Sequence, residues 1–284
     1  MKDLFYSFKK RRLAIVGLLI FIIIVFLAVA APWIVPHDPL YQELMDNLLP
    51  PAWQEDGKPE YLLGTDHFGR DVLSRLLYGA RISLVAAGFA SLFATVLGTT
   101  VGLISGYFGG RTDSVIMRVV DVFLSFPLIL IAISLASILG PSLRNLILVM
   151  ALTGWMVYTR VIRSEVVSLK KREFILAAIS IGTPTPRLLL SQILPNIISP
   201  VLVLFTFSFA QFIILESALS FLGLGVPPPT PTWGRMLYDG RDYLTVAWWI
   251  ITFAGLCIML TTLSLNFVGD GLRDALDPRL RRIT

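Results

Sequence analysis

The sequence predicts an all-α integral membrane protein of about six transmembrane helices. Three observations predict it. Of 284 residues, 55% are hydrophobic and only 15% charged, whereas a water-soluble domain keeps roughly a quarter of its residues charged to cover its surface. Apolar runs of bilayer-crossing length recur along the chain, each needing about 20 helical residues at ~1.5 Å rise. The basic residues also gather on alternate connections, as the positive-inside bias of membrane proteins requires.

The first run, Leu13 to Ala31, follows the basic cluster Lys9, Lys10, Arg11 and Arg12. Ala28-Val29-Ala30 resembles a signal-peptide cleavage site, but a signal core is typically about 7–15 residues. This run is longer and the chain opens on Met1, so a retained anchor over 13–35 is expected behind a cytoplasmic segment 1–12. Segment 36–80 is expected outside. The remaining spans fall near Ser83–Tyr107, Ser114–Ile138, Leu146–Tyr158, Ile197–Leu222 and Val246–Val268, giving a five-helix core over 81–269 and a cytoplasmic tail over 270–284. The fourth of the six is the weakest, interrupted by Thr153 and Gly154 and short of a full crossing.

Segments 1–12, 109–118, 160–187 and 273–282 carry 17 of the 24 Lys and Arg residues, which places both termini in the cytoplasm. Dropping the fourth span would put the most basic connection outside, so charge favours six. Trp33, Trp248 and Trp249 then fall at the outer interface, where amphipathic rings prefer to lie. The external loop 224–245 contains Pro227-Pro228-Pro229-Thr230-Pro231, expected to be stiff and extended. Gly98, Gly102, Gly106 and Gly110 form a small-residue stripe that permits close helix packing.

Several function classes are excluded or disfavoured. Cys257 stands alone, so no intramolecular disulfide or redox pair exists. Two histidines and one cysteine make a protein-only transition-metal cage hard to build. His37-Asp38 and Asp66-His67 hold ligand types in one external segment, but nothing in their spacing fixes a coordination geometry. No GxxxxGK[ST] phosphate loop, nucleophile–base constellation or nucleic-acid module is visible. An ion- or proton-coupled secondary transporter is the alternative, but it calls for ionisable residues near mid-membrane, and the span centres have almost none. Glu216, placed near the outer end of the fifth span, reads either as a group facing the transport pathway or as a carboxylate reaching water or a helix partner.

The most informative stretch is Arg172-Glu173-Phe174-Ile175-Leu176-Ala177-Ala178-Ile179-Ser180-Ile181-Gly182-Thr183-Pro184-Thr185-Pro186, continuing to Pro195-Asn196. It reads as helix, turn, helix. Ala177 and Ala178 allow close approach of another surface. Gly182 suits the left-handed end of the first helix. Thr183 and Pro184 suit N-cap and N1 of the second, and Pro195 is expected to stop that second helix before the fifth span. Ala-Ala, three residues, Gly, then twelve residues to Pro resembles the "EAA" loop of ABC importer permeases. The family's acidic position before the alanine pair is Leu176 here, with Glu173 three positions earlier.

Leu63-Gly64-Thr65-Asp66-His67-Phe68-Gly69-Arg70-Asp71-Val72-Leu73-Ser74-Arg75, running to Gly79-Ala80-Arg81, resembles a signature of the dipeptide/oligopeptide/nickel permeases. From its residues it is a turn leading into an amphipathic interfacial helix, with Asp71 and Arg75 able to pair at i, i+4. Leu219 to Gly225, Pro228 to Gly234 and Gly269 to Pro278 resemble the C-type subunit of these transporters. The resemblance implies a type I ABC importer permease in a bacterial or archaeal cytoplasmic membrane, most similar to peptide transporters. Its coupling loop over 163–195 would dock on the ATPase through Glu173, Ala177, Ala178, Gly182, Thr183, Pro184 and Pro195. It further implies a homologous second permease, two ABC ATPase subunits that carry ATP and Mg, and an extracytoplasmic substrate-binding protein. The chain itself would hold no cofactor and no nucleic acid, and would sit in membrane lipid.

Overall fold

A computed structural model describes residues 11–276; within them there are helices, turns and one isolated bridge between Thr65 and Asp71, with no β-strand. Lys9, Lys10, the distal tail and Pro278 lie outside the described residues. Helix α1 (Arg12–Ile34) is apolar on every side, and its few buried positions are small: Ala14, Gly17, Ala28 and Ala31. It packs by them on α10 (Trp248–Leu276), where a side chain at Gly17 would meet Phe267 Cβ at 2.7 Å. A helix hydrophobic all round is what a lipid-facing span requires.

Helix α2 (Val72–Phe108) is 37 residues long and runs straight from the external turn through the expected second span. No separate interfacial helix precedes it, contrary to the sequence expectation. Val72 and Leu76 are buried against the protein, so the helix has packing partners from its first turn and no reason to lie flat. Its partner is α5 (Leu143–Leu169). A Cβ at Gly98 would lie 2.4 Å from Trp155 O, at Gly102 2.9 Å from Ile162 Cβ, and at Gly106 2.7 Å from Val166 Cβ. The stripe therefore lets two backbones touch, as small-residue spacing allows. Gly110 has open space around it and takes no part.

Two spans differ from expectation. The third is not one helix but two, α3 (Gly110–Leu124) and α4 (Leu128–Leu139), bent by 87°. Pro127 causes the break: it has no N–H and drives the preceding Phe126 out of the helical region. It becomes the N-cap of α4 at φ −56°, ψ 121°. The fourth span, read as weak, is the continuous 27-residue α5. The Thr153 hydroxyl donates to Val149 O at 2.9 Å, so its polarity is satisfied within the helix. Gly154 leaves room for the Phe212 ring, whose Cζ lies 2.3 Å from where a Cβ would stand.

After α5 come α6 (Glu173–Ser180), α7 (Thr185–Leu188), a π-helical turn Leu189–Ile193, and α8 (Leu194–Phe221). Pro195 does not stop a helix, as the sequence suggested. It sits in the first turn of α8, and Leu194 N bonds to Leu189 O across the π turn, re-registering the ladder just before the missing N–H. Five runs (α1, α2, α5, Thr185–Phe221 and α10) are long and apolar enough to cross a bilayer, and α3–α4 supplies a sixth if the bent pair is one crossing.

The loop expected to be only extended also contains a helix, α9 (Trp233–Gly240), which leads to a 3-10 turn at Arg241–Tyr243. Thr232 starts α9 by accepting from Arg235 N at 3.0 Å. Pro227, Pro228 and Pro229 are exposed, but Val226 before them and Pro231 to Gly234 after them are buried. The main core collects residues of α1, α2, α4, α5, α8, α9 and α10. A second cluster joins Leu103, Ile162 and Val166 to Ile175, Ala178, Leu188, Ile193, Ile197 and Val201.

Candidate functional site

The turn between α6 and α7 is built as its residues predicted at one point and differently at others. Gly182 has φ +76°. Its N–H bonds to Ile179 O at 2.9 Å and Thr183 N–H bonds to Ala178 O at 3.1 Å. These two bonds are the Schellman pattern, which closes the carbonyl end of α6 and reverses the chain. Thr183, however, does not cap α7. The N-cap is Pro184 at φ −62°, ψ 139°, with no side-chain cap bond, and Pro186 lies in the first turn. With no proton to give at Pro184 or Pro186, few first-turn amides need a capping oxygen.

The alanine pair divides between two faces. Ala178 is buried with Ile175 in the second cluster, and Ala177 is exposed together with Glu173, Gly182 and Pro184. Successive helical residues point about 100° apart, so neighbouring alanines cannot share one surface. Phe174, Leu176 and Ile179 are also exposed, and Ile181 stands 83% exposed at the tip. Leu176, in the place of the family's acid, is thus part of an outward apolar face. Two side chains anchor the helix and at least five contact-capable ones are left uncovered by this chain.

This loop is joined to the bundle at defined points. Lys170 Nζ donates to Tyr107 O and lies 5.2 Å from the Tyr107 ring centre. The Tyr107 hydroxyl is 3.5 Å from Thr185 Oγ1. Thus the end of α2, the end of α5 and the start of α7 meet around one tyrosine. On the same stretch of α5, Arg163 pairs with Asp113 of α3, which also accepts from Ser105 Oγ at 2.6 Å.

Glu216 lies inside the chain, 0% exposed. Ser83 Oγ donates to its Oε2 at 3.1 Å and Ser220 Oγ to its Oε1 at 2.8 Å. Ser83 Oγ in turn accepts from Trp233 N at 3.3 Å, so the carboxylate ties α2, α8 and the start of α9 together. Of its two sequence readings, the helix-partner one describes these contacts; in this structure the side chain opens onto neither water nor a channel.

The motif 63–75, expected outside, is a structural knot. Asp66 Oδ2 faces Arg70 Nε at 2.7 Å and Arg75 Nε at 3.3 Å. Asp239 Oδ2 faces Arg70 Nη2 at 3.2 Å and Arg75 Nη2 at 3.3 Å, while Arg235 Nε reaches its Oδ1 at 2.8 Å. Asp71 does not pair with Arg75, as i, i+4 spacing suggested. It is the N-cap of α2, accepting from Ser74 N at 2.8 Å, which leaves Arg75 to Asp66 and Asp239. Trp249, expected at the interface, is buried and donates Nε1–H to Thr65 O at 3.0 Å. Trp33, by contrast, is exposed. Asp239 was not legible as a partner, because nothing in the spacing of 63–75 points to a residue 169 positions beyond Arg70 and 164 beyond Arg75.

The two histidines are engaged separately. His37 lies 5.0 Å from the Tyr61 ring, and His67 stacks on Tyr243 at 5.3 Å and 15°. Burial drives the His67 imidazole towards its neutral form, against the pull of Asp66. Among the described residues no group of three or more His, Cys, Asp or Glu is gathered as a metal would need.

Comparison with known proteins agrees with this architecture. The description of a binding-protein-dependent transport system inner membrane component matches residues 98–282, and that of the N-terminal TM domain of oligopeptide transport permease C matches residues 1–51. The di/tripeptide transport system permease protein DppC of Pseudomonas aeruginosa is 42% identical over 99% of this chain and 93% of its own length. The dipeptide transport system permease protein DppC of Escherichia coli (strain K12) is 43% identical over 99% and 94%. The Bacillus subtilis (strain 168) protein of that description is 39% identical over 99% and 86%. With family models matching residues 1–51 and 98–282, relatives matching over 99% of the chain, and a helical bundle of five runs long and apolar enough to cross a bilayer plus one bent pair, the chain belongs to the family of binding-protein-dependent transport system inner membrane components, the multi-pass permease subunits of ABC importers.

Proposed function

We propose that this subunit forms half of the pathway of an importer for di- and tripeptides, paired with a homologous second permease. Two ABC ATPase subunits would hydrolyse ATP, and an extracytoplasmic binding protein would deliver the peptide. The observation that carries the reading is α6: a short helix with an outward apolar face, ended by a Schellman turn and keyed into the bundle through Ile175 and Ala178. Such a face needs a protein partner, because exposed apolar patches of this kind mark docking sites. Closure of the ATPases on ATP would push α6, and through the second cluster α5, so that the bundle opens outward to accept peptide. Later steps release it inward. Both termini lie in the cytoplasm in this scheme, which the distribution of Lys and Arg supports. The peptide substrate is supported by the names of relatives that match over nearly the whole chain.

Co-expression with the genes for the partners tests the reading. Purification through a tag on this chain in mild detergent is expected to bring down a second permease and two ATPase copies. In vesicles the complex is expected to take up dipeptides only with ATP and binding protein. Purification of this chain alone, or uptake driven by an ion gradient without ATP, would overturn it.

A further inference from the structure

A groove of about 500 Å³ runs along α3, lined by Ser114, Met117, Arg118, Asp121, Val122 and Ser125. At 3.6 residues per turn these positions share one side of the helix. A second side is already used: Val120 is fully buried, and Asp113 is held by Ser105 and Arg163. A third side, Val115, Val119 and Phe123, is apolar and exposed, as a lipid or subunit contact would be. The polar stripe fits neither of those roles. By the placement of the basic residues, Arg118 stands at the cytoplasmic mouth of this bent pair, where a charged side chain faces water, a pathway opening or an opposite charge. Arg118 has no carboxylate partner among the described residues. Asp121 is held by Arg160 through Oδ1, and its side chain is otherwise open to the groove.

We propose that this groove is the section of pathway wall that takes the two charged ends of a short peptide, Arg118 receiving the α-carboxylate and Asp121 the α-ammonium. The proposal rests on the peptide-importer reading above. Three residues of helix separate the two groups by about 4.5 Å along the axis, and the ends of a dipeptide stand no more than about 7 Å apart. The long Arg118 side chain covers the difference. The guanidinium fork matches a carboxylate in a bidentate way. The Ser114 and Ser125 hydroxyls donate to Gly110 O at 2.9 Å and Val122 O at 2.6 Å, which leaves each with lone pairs able to accept an N–H of the cargo. Met117 and Val122 form an apolar floor, and methionine adapts to side chains of different shape. The charges are exposed enough that binding stays weak, which a transit site needs if the cargo is to leave.

The test uses the complete transporter in vesicles and one dipeptide in three forms: free, C-terminally amidated and N-acetylated, each first shown to be held by the binding protein. Because the same binding protein serves every variant, its own preference cancels in ratios of uptake. Arg118→Gln is expected to lower the ratio of free to amidated uptake by up to about fivefold, the weight of one exposed ion pair. The ratio of free to acetylated uptake stays as in wild type. Arg118→Lys is expected to recover part of the loss, and Asp121→Asn to show the opposite pattern. If Arg118→Gln lowers all three rates by one factor, Arg118 is a subunit contact and the proposal falls. Equal rates in variant and wild type also overturn it. Failure of the wild type to take up any peptide would instead remove the importer reading on which it stands.

Discussion

Gly182 offers the sharpest test of the turn at the end of α6. Its φ of +76° lies where residues with a Cβ are strained, at a cost of about 1–2 kcal/mol. A Cβ added there would meet nothing within 4 Å, so inside this chain the backbone supplies the whole cost. Ile175 and Ala178 still anchor the helix, which makes the loss local to the turn and its two closing bonds. A penalty of that size shifts the population of the competent turn by about 5- to 30-fold. Gly182→Ala, which adds strain with little bulk, is therefore expected to reduce uptake by about that factor. Gly182→Val adds a branched side chain on the exposed face proposed to dock on the ATPase and is expected to abolish uptake while the subunit still inserts and pairs. Gly182→Asn, tolerant of the left-handed region, is expected to stay near wild type. Uptake and binding-protein-stimulated ATP hydrolysis are measured on the same reconstituted preparation. Full retention of both by the Val variant would refute the role, and a fully active Ala variant beside a dead Val variant would refute the strain argument.

Orientation is checked with single cysteines in a Cys257→Ser background: Lys58→Cys is expected to react with an impermeant thiol reagent in intact spheroplasts, and Lys171→Cys only after permeabilisation. Both lysines are exposed in the chain, so equal labelling in sealed cells would contradict the placement of the two sides. In the charge knot, Asp239→Ala leaves Arg70 and Arg75 sharing Asp66 and takes away the carboxylate that Arg235 pairs with, and unpairing a buried charge costs about 3–5 kcal/mol. Thermal unfolding in detergent is expected to fall by several degrees, and an unchanged midpoint would mean that the network carries no stability.

Elements whose cause is local were legible. The apolar runs gave the number of crossings, Gly182 gave the left-handed turn, and the four-residue glycine stripe gave the contact between α2 and α5. What failed depended on partners distant in sequence. Thr153 and Gly154 looked like breaks in the fourth span until Val149 and Phe212 stood beside them. Asp71 and Arg75 had the spacing of a helical pair, but the N-cap took one and Asp66 with Asp239 took the other. Pro127 was a local signal with a known consequence, and the apolar composition around it masked the 87° bend. Pro195 shows the converse: a proline read as a stop was accommodated by a π turn five residues long.

The two ends of the bundle are held by different physics. At the end that holds the 63–75 motif, Arg70, Arg75, Asp66 and Asp239 are buried together, Trp233 and Trp249 spend their indole N–H groups on Leu76 O and Thr65 O, and Glu216 spans three elements. Shifting any one of these parts strands a buried polar group, which is costly in an apolar surrounding. At the other end α6 itself has only Ile175 and Ala178 buried, and the polar ties of its loop, Lys170 to Tyr107 O and the Tyr107 hydroxyl to Thr185, lie at its flanks and are partly open to water. Under the proposed coupling, displacement imposed by a docked ATPase is therefore cheapest at α6. It passes first to Ile162 and Val166 of α5, which share its core cluster. From α5 it reaches α3 through Arg163–Asp113 and Arg160–Asp121, so the helix that bears the polar groove is tied by charge to the helix that the coupling loop would move.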